Sequence, residues 1–431
     1  MLSAILPISS LMLGMSILLA GNGLLAIALG LRAEHELYGE TIVGIIMGVY
    51  FVGFMAGSYL CPVLIRKVGH IRSFAALAAL ASVTTVAYGV LVDPLLWLPL
   101  RLLSGLCLVG LYMVIESWLN AQTPNDQRGR VFGAYMAATL LALAVGLYLA
   151  RVAGETGTWG PFVWASLLFT LGLVPITLTR VREPAPVEKP EPMFARVFEI
   201  SPFGTSAVLV AGIVNGAFWG LSPLFYARAG LTTDETALYM ALVILGGALL
   251  QWPVGHFSDR HDRRQVLIVV AFIGAITAML ALFAIDRSRA VLGVSAFIYG
   301  GVMLGSYSLA VAHVNDHLDP TEVLEATGTL LLFYGMGAAL GPIAAGPLMQ
   351  YFGNPALPVM SATTLALLGL YGIRRMMVRP PVPLEEQAPF VTMARTSQAA
   401  LEMYPEVEHS DEHADRPPAD GTAGGIDKQR D

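Results

Sequence analysis

Apolar residues along this chain gather into twelve long runs, at about 9–31, 41–65, 73–92, 95–119, 131–153, 161–179, 203–227, 236–256, 266–285, 290–315, 322–350 and 355–376. Each comes close to or exceeds the ~20 residues that carry a helix across the hydrocarbon core of a bilayer. The pattern predicts an all-α membrane protein with twelve transmembrane helices. The first run starts near Ser9 with no Lys or Arg ahead of it. A cleavable signal peptide needs a basic leader, so this run reads as a first span.

Composition agrees with the pattern and removes other classes. The chain is 55% hydrophobic and 13% charged, where soluble domains are roughly a quarter charged. A globular enzyme with a large core is excluded. Cys61 and Cys107 both sit in apolar runs, where they read as small packing residues, and no disulfide is expected. Of the 20 Lys and Arg up to residue 378, 14 fall on the side shared by the breaks 66–72, 120–130, 180–202 and 257–265 and the end of the last run. The positive-inside rule puts these loops and both termini in the cytoplasm.

The break 180–202 is rich in Pro and charge, which marks a linker between two six-helix halves, 1–179 and 203–377. Beyond it, the tail 378–431 carries 11 acids and 5 bases. That net −6 equals the formal charge of the whole chain, so the body is neutral and the tail is expected to be an acidic, disordered cytoplasmic segment. Within the tail, 389–404 has the pattern of a short amphipathic helix.

The halves repeat. Asn22-Gly23 recurs as Asn215-Gly216 and Glu40-Thr41 as Glu235-Thr236. Gly105, Gly110 and Tyr112 share their spacing with Gly300, Gly305 and Tyr307, and the loop 66–72 falls opposite 259–265. These matches, in order and at offsets of about 193–195 residues, argue for a duplicated six-helix unit, a signature of transporter folds.

The stretch "PVGHFSDRHDRRQVL" is polar and densely charged between apolar neighbours. Its Gly255, Ser258, Asp259, Arg260, Arg263 and Arg264 resemble the loop G-x-x-x-D-R-x-G-R-R of the major facilitator superfamily. The stretch "GLYMVIESWLNAQTPNDQRGRVFGAYM", with "VGHIRSF" before it, resembles the YcaD-like branch of that superfamily. The resemblance implies a twelve-helix fold of two pseudo-symmetric halves. It also implies a charge latch at the cytoplasmic mouth and a cavity lined mainly by helices 1, 4, 7 and 10.

On that plan Asn22 and Asn215 face each other near mid-membrane, with Tyr112, Met113, Trp219 and Tyr307 completing an aromatic and amide wall for substrate. Basic loop residues complement helix C-terminal dipoles and anionic headgroups. Asp259, Arg260, Arg263 and Arg264 are expected to form the second-half latch. In the first half Arg66 stands where the second has Asp259. Glu116 is therefore expected to supply the missing acid by bonding an arginine among Arg66, Arg72, Arg128 and Arg130. Arg101 resembles a membrane-embedded arginine of proton-coupled members, with Ser104 in place of the usual glutamine. At its depth it can also snorkel to the surface.

His313 and His317 are four apart beside Asp316, but without a third ligand at supporting spacing no metal site is assigned. No catalytic motif stands out, so no enzyme is expected, and no cofactor is implied. The expected function is secondary active transport of a small solute by alternating access across the cytoplasmic (inner) membrane, with efflux favoured. The alternatives are uptake of a small metabolite, or a transport-dead sensor signalling through the tail. Expected partners are a small-molecule substrate, the lipid bilayer and a coupling proton or other ion. No nucleic acid is expected, and the protein is expected to be a monomer.

Overall fold

A computed structural model describes residues 9–124, 127–178, 184, 192–319 and 322–378, together with tail positions 382, 383, 387, 390, 396 and 397. In the first half the helices are α1 (Ser9–His35), α2 (Glu40–Val68), α3 (His70–Val90), α4 (Pro94–Gln122), α5 (Arg128–Gly154) and α6 (Gly160–Thr177). A short α7 (Phe194–Ile200) precedes α8 (Pro202–Arg228), α9 (Thr233–Ser258), α10 (Arg263–Ala284), α11 (Arg289–Asn315), α12 (Val323–Phe352) and α13 (Ala356–Met376). All but α7 are long and apolar enough to cross a membrane. Helices are the required answer for such runs, because hydrocarbon supplies no partner for a free backbone group.

Several helices overrun the apolar runs that announced them. α1 continues through Arg32 and Glu34 to His35, and α4 to Gln122. Apolarity ends with the hydrocarbon, whereas the helix continues through the headgroup layer. Side-chain caps close several ends there: Asp93 accepts from Leu95 and Leu96, and Thr232 and Glu235 form a reciprocal capping box. Residues 180–183 and 185–191 of the expected linker, the tail's expected disorder and nearly all of its amphipathic stretch lie outside the described residues. The described end of the linker forms α7, a helix that the proline-rich pattern conceals.

Within the first half α2 packs on α4, α1 on α5 and α6, and α3 on α4 and α6. The second half repeats this with α9 on α11, α8 on α12, and α10 on α11 and α13. Lipid tails are as apolar as leucine, so such helices associate through close packing at small residues rather than through exclusion from water. A Cβ on Gly53 would run into the Leu102 carbonyl, and one on Gly105 into that of Tyr50. Gly246 against Phe297 and Gly300 against Val243 repeat the crossing in the second half. The halves meet along α2–α12, α5–α9 and α1–α8. Two faces result: a basic face, bearing the loop after α2, the loop after α4 and the loop after α9, and an opposite face, with Arg32, Asp93 and Arg228 at or near the ends of α1, α4 and α8.

The crossings make a contrast that can be measured. Gly105→Val or Gly300→Val drives a side chain into a backbone carbonyl and should destabilise by about 1–3 kcal/mol. Gly305→Ala meets nothing within 4 Å and should be neutral. Thermal unfolding followed by size-exclusion chromatography in detergent separates the two, and equal melting temperatures for all three variants would contradict this packing.

Candidate functional site

Between the halves lies a cavity of about 220 Å³. Its lining starts near the middles of α1 and α8 and continues toward the basic face along α2, α5 and α12. Asn22 and Asn215, related by the repeat, both line it, as do Tyr112 and Trp219. Met113 and Tyr307 do not. Consecutive positions on a helix point about 100° apart, so Met113 cannot share the face of Tyr112, and it is fully buried among the helices. Tyr307 stands behind Tyr334, ring to ring at 5.0 Å, and Tyr334 takes the wall position. The sequence reading also missed the contribution of α2, α5 and α12. The cluster Tyr50, Phe51 and Phe54 was its available sign, since all three face the cavity.

Arg101 lies about 10 Å along α4 from the opposite-face end. It does not snorkel. The side chain is 9% exposed, lines the cavity, and holds its guanidinium carbon 4.5 Å from the centroid of the Tyr50 ring. It makes no ion pair among the described residues, and its Nε is buried without a hydrogen-bond partner. The Asn215 Nδ2 is likewise buried and unpartnered. A cation at this depth is held by ring electrons and cavity dipoles rather than by an acid.

At the basic face the second-half loop forms a buried charge cluster. Arg263, 1% exposed, donates to Asp316 at the end of α11, to the Ala312 carbonyl at 3.1 Å and to Asp259 at 3.2 Å. Asp316, considered at first only beside the histidines, is the acid of this cluster, and His317 instead turns its Nδ1 to the His313 carbonyl at 2.9 Å. Asp262 caps α10 and grips Arg264 at 2.8 Å. Burial pushes the Asp262 carboxyl up, but the Arg264 guanidinium and backbone N–H outweigh it and hold the group below its ordinary value. Arg260 is exposed. In the first half, the position matching Arg263 is His70, whose buried ring lies 5.8 Å from that of Trp118.

Among the described residues, Glu116 does not bond an arginine. Arg66, Arg72 and Arg130 are exposed, Arg128 is half-buried, and none of the four makes an ion pair among the described residues. Glu116 is 0% exposed, and its oxygens accept from the Tyr135 hydroxyl at 2.7 Å and from the hydroxyls of Thr396 and Ser397 of the tail. The helix end places the carboxylate inward against α5, out of reach of loops that turn to the headgroups. The tail is also tied to the second half, where the Phe390 N–H donates to Asp259 at 2.7 Å and its ring covers Gly255. Thr396 lines the cavity.

The opposite face closes differently. Arg228 of α8 pairs with Glu34 of α1 at 2.7 Å and with Glu40 of α2, and donates to the Tyr38 carbonyl at 3.4 Å. The Thr41 N–H donates to Gln350 across the same seam at 3.2 Å, and Arg151 approaches Asp234 at 3.5 Å. Among the described residues, every ion pair that bridges the halves is on this face. Beneath it α2 and α12 touch backbone to backbone, where a Cβ on Gly346 would sit 2.5 Å from the Glu40 carbonyl oxygen.

Known proteins carry the same plan. The profile of the Major Facilitator Superfamily matches this chain twice, over residues 11–208 and 204–401. The "Uncharacterized MFS-type transporter YcaD" of Salmonella enteritidis PT4 (strain P125109) is 27% identical over 324 residues, 74% of this chain and 83% of that protein. Its counterpart in Salmonella newport (strain SL254) is 26% identical over the same share of each chain. The solved nucleoside transporter NupG is similar in fold at a TM-score of 0.72 and 12% identity, covering 85% of this chain and 98% of its own. A bacterial homolog of the human lysosomal transporter Spinster, inward-facing and occupied, reaches a TM-score of 0.70 at 16% identity, covering 88% of this chain and 97% of its own.

The Arg263 cluster predicts unequal mutant costs. Asp316→Asn removes the charge facing an arginine that is itself 1% exposed, a loss of about 3–5 kcal/mol. Asp259→Asn touches a carboxylate 32% exposed and should lose under about 1 kcal/mol. Thermal unfolding of the two purified variants reads the difference, and equal shifts would contradict the assignment of Asp316 as the principal partner.

Proposed function

The chain belongs to the major facilitator superfamily of transporters, and on that premise we propose that it is a secondary active transporter moving a small solute across the cytoplasmic membrane by alternating access. The basic loops favour the cytoplasm for their face and for both termini. The central cavity then lies toward the cytoplasm, and the Arg228 seam is the outer gate. The observation that carries the reading is this asymmetry: two repeat halves around a mid-membrane cavity, with the ion pairs that join them confined to one side of it. Rocking one rigid half against the other would break the Arg228 seam and open the cavity outward. The direction proposed is efflux, supported by a cavity that is apolar and free of acids among its described lining.

Cysteine accessibility tests alternation without knowledge of the substrate. In a background lacking Cys61 and Cys107, Ala26→Cys places a thiol in the cavity wall, to be labelled by a membrane-impermeant maleimide from either side of oriented vesicles. Arg228→Gln removes a partly exposed charge pair, about 1 kcal/mol and so roughly a fivefold shift in the balance of states. Outer-side labelling should accelerate by that factor while cytoplasmic labelling slows. Labelling that rises from both sides would describe a leak rather than a transporter, and unchanged outer-side labelling would remove the Arg228 seam as the gate.

A further inference from the structure

We propose that the cavity takes a small organic monoanion, one carboxylate on a flat apolar body, an inference that rests on the transport reading of the same cavity. Arg101 is the one charged side chain among the described lining residues. Three polar atoms of that lining are buried with no partner: Arg101 Nε and Asn215 Nδ2, which are donors only, and the Thr139 hydroxyl, which can donate. A carboxylate offers only acceptors and satisfies them. A cation would meet Arg101 with no acid to offset it, and a neutral hydrocarbon would leave these donors unmet at a depth where that is expensive. Glu116 lies about 22 Å along α4 from Arg101 and has its oxygens occupied by hydroxyls. Asn22 and Tyr50 line the cavity together with Arg101 and Asn215, and the anionic head is placed among these four. The body then lies against Trp219, Tyr112 and Tyr334. The same chemistry bears on the driving force: an anion leaves a cell that is negative inside down the electrical gradient, so export needs no membrane-embedded carboxylate.

Matched probes test it: benzoate and indole-3-acetate, their uncharged amides, and benzylammonium. Binding is read by thermal shift and tryptophan fluorescence on the purified full-length protein in detergent. The carboxylates should bind at least tenfold more tightly than their amides, with benzylammonium weakest. Arg101→Gln should remove that preference, and Asn215→Asp should weaken the carboxylates while sparing benzylammonium. The melting temperature of each ligand-free variant separates lost binding from lost folding. Amides or benzylammonium binding as well as carboxylates, no carboxylate binding at all, or an undiminished preference in folded Arg101→Gln would each overturn the anion assignment. These are binding measurements. A protein that binds the anions yet labels as a leak loses the transport reading, and one that alternates but prefers benzylammonium loses only the anion.

A second observation stands apart from the cavity's charge. We infer that the tail is a plug that staples the two halves at the basic face. Phe390 is bonded to Asp259 of the second half, and Thr396 and Ser397 to Glu116 of the first, with Thr396 at the cavity wall. Those bonds span the seam that opens and closes in alternation, and they supply two of the three hydroxyls that bond the fully buried Glu116 carboxylate among the described residues. In the full-length chain, a double variant Thr396→Val, Ser397→Ala keeps the tail but removes both hydroxyls. In the Cys61- and Cys107-free background, Met136→Cys on the cavity wall should then react at least fivefold faster with maleimide from the cytoplasmic side. Truncation after Met377 should match or exceed that rate. An unchanged rate in both variants would overturn the plug.

Discussion

Everything in this protein depends on helices approaching one another to backbone distance inside lipid. Exclusion from water does not hold apolar helices together there, so the contact has to come from shape. The paired glycines supply it: Gly53 with Gly105 in one half, Gly246 with Gly300 in the other, and across the repeat Gly23 with Gly146 and Gly216 with Gly341. Each pair lets two carbonyl ladders touch where any side chain would collide. The result is two stiff bundles. The halves meet at a separate seam, where the contacts are ion pairs on one face and the packed faces of α2 on α12, α5 on α9 and α1 on α8.

The halves share a backbone plan and differ in how they treat charge. The second half buries Arg263 against Asp316 and Asp259, while the first sets His70 beside Trp118 at the equivalent place. A buried ion pair gains little net stability, because desolvation offsets much of the attraction, but losing one partner is severe. The second half is therefore held to one arrangement of its basic-face loop. The first half has its buried acid, Glu116, one helix turn from the cavity residue Tyr112, and satisfies it with neutral hydroxyls. Hydroxyl donors on a tail can leave; an arginine on the same loop would stay.

Arg101 and Asn215 both line the central cavity. Both are polar, both are nine-tenths buried, and both keep a donor without an acceptor. Facing the cavity, these donors can be met by a bound acceptor.

The sequence alone determined what depends on composition and periodicity. Twelve apolar runs had to become helices because lipid leaves the backbone no other partner, and the duplicated plan was legible because Asn22 and Asn215, or Gly105 and Gly300, keep nearly one offset. Asn22, Asn215, Tyr112 and Trp219 were marked as cavity candidates through the superfamily resemblance, whereas Arg101, read as a coupling or snorkelling residue, was set in the cavity wall only by the structure. Only the tertiary structure decided direction and partner. A one-residue step along α4 turns Met113 away from the wall that Tyr112 faces, and Tyr334 reaches the cavity from α12 while Tyr307 stays behind it. Glu116 has four arginines on nearby loops and bonds none of them, because its oxygens point inward to Tyr135 and to a tail 280 residues away in sequence. Arg228 finds Glu34 and Glu40 only when the two halves meet. Hydrophobicity and periodicity are properties of each run by itself, but burial and an ion pair between helices need the angle and rotation of both, which the chain acquires only on packing.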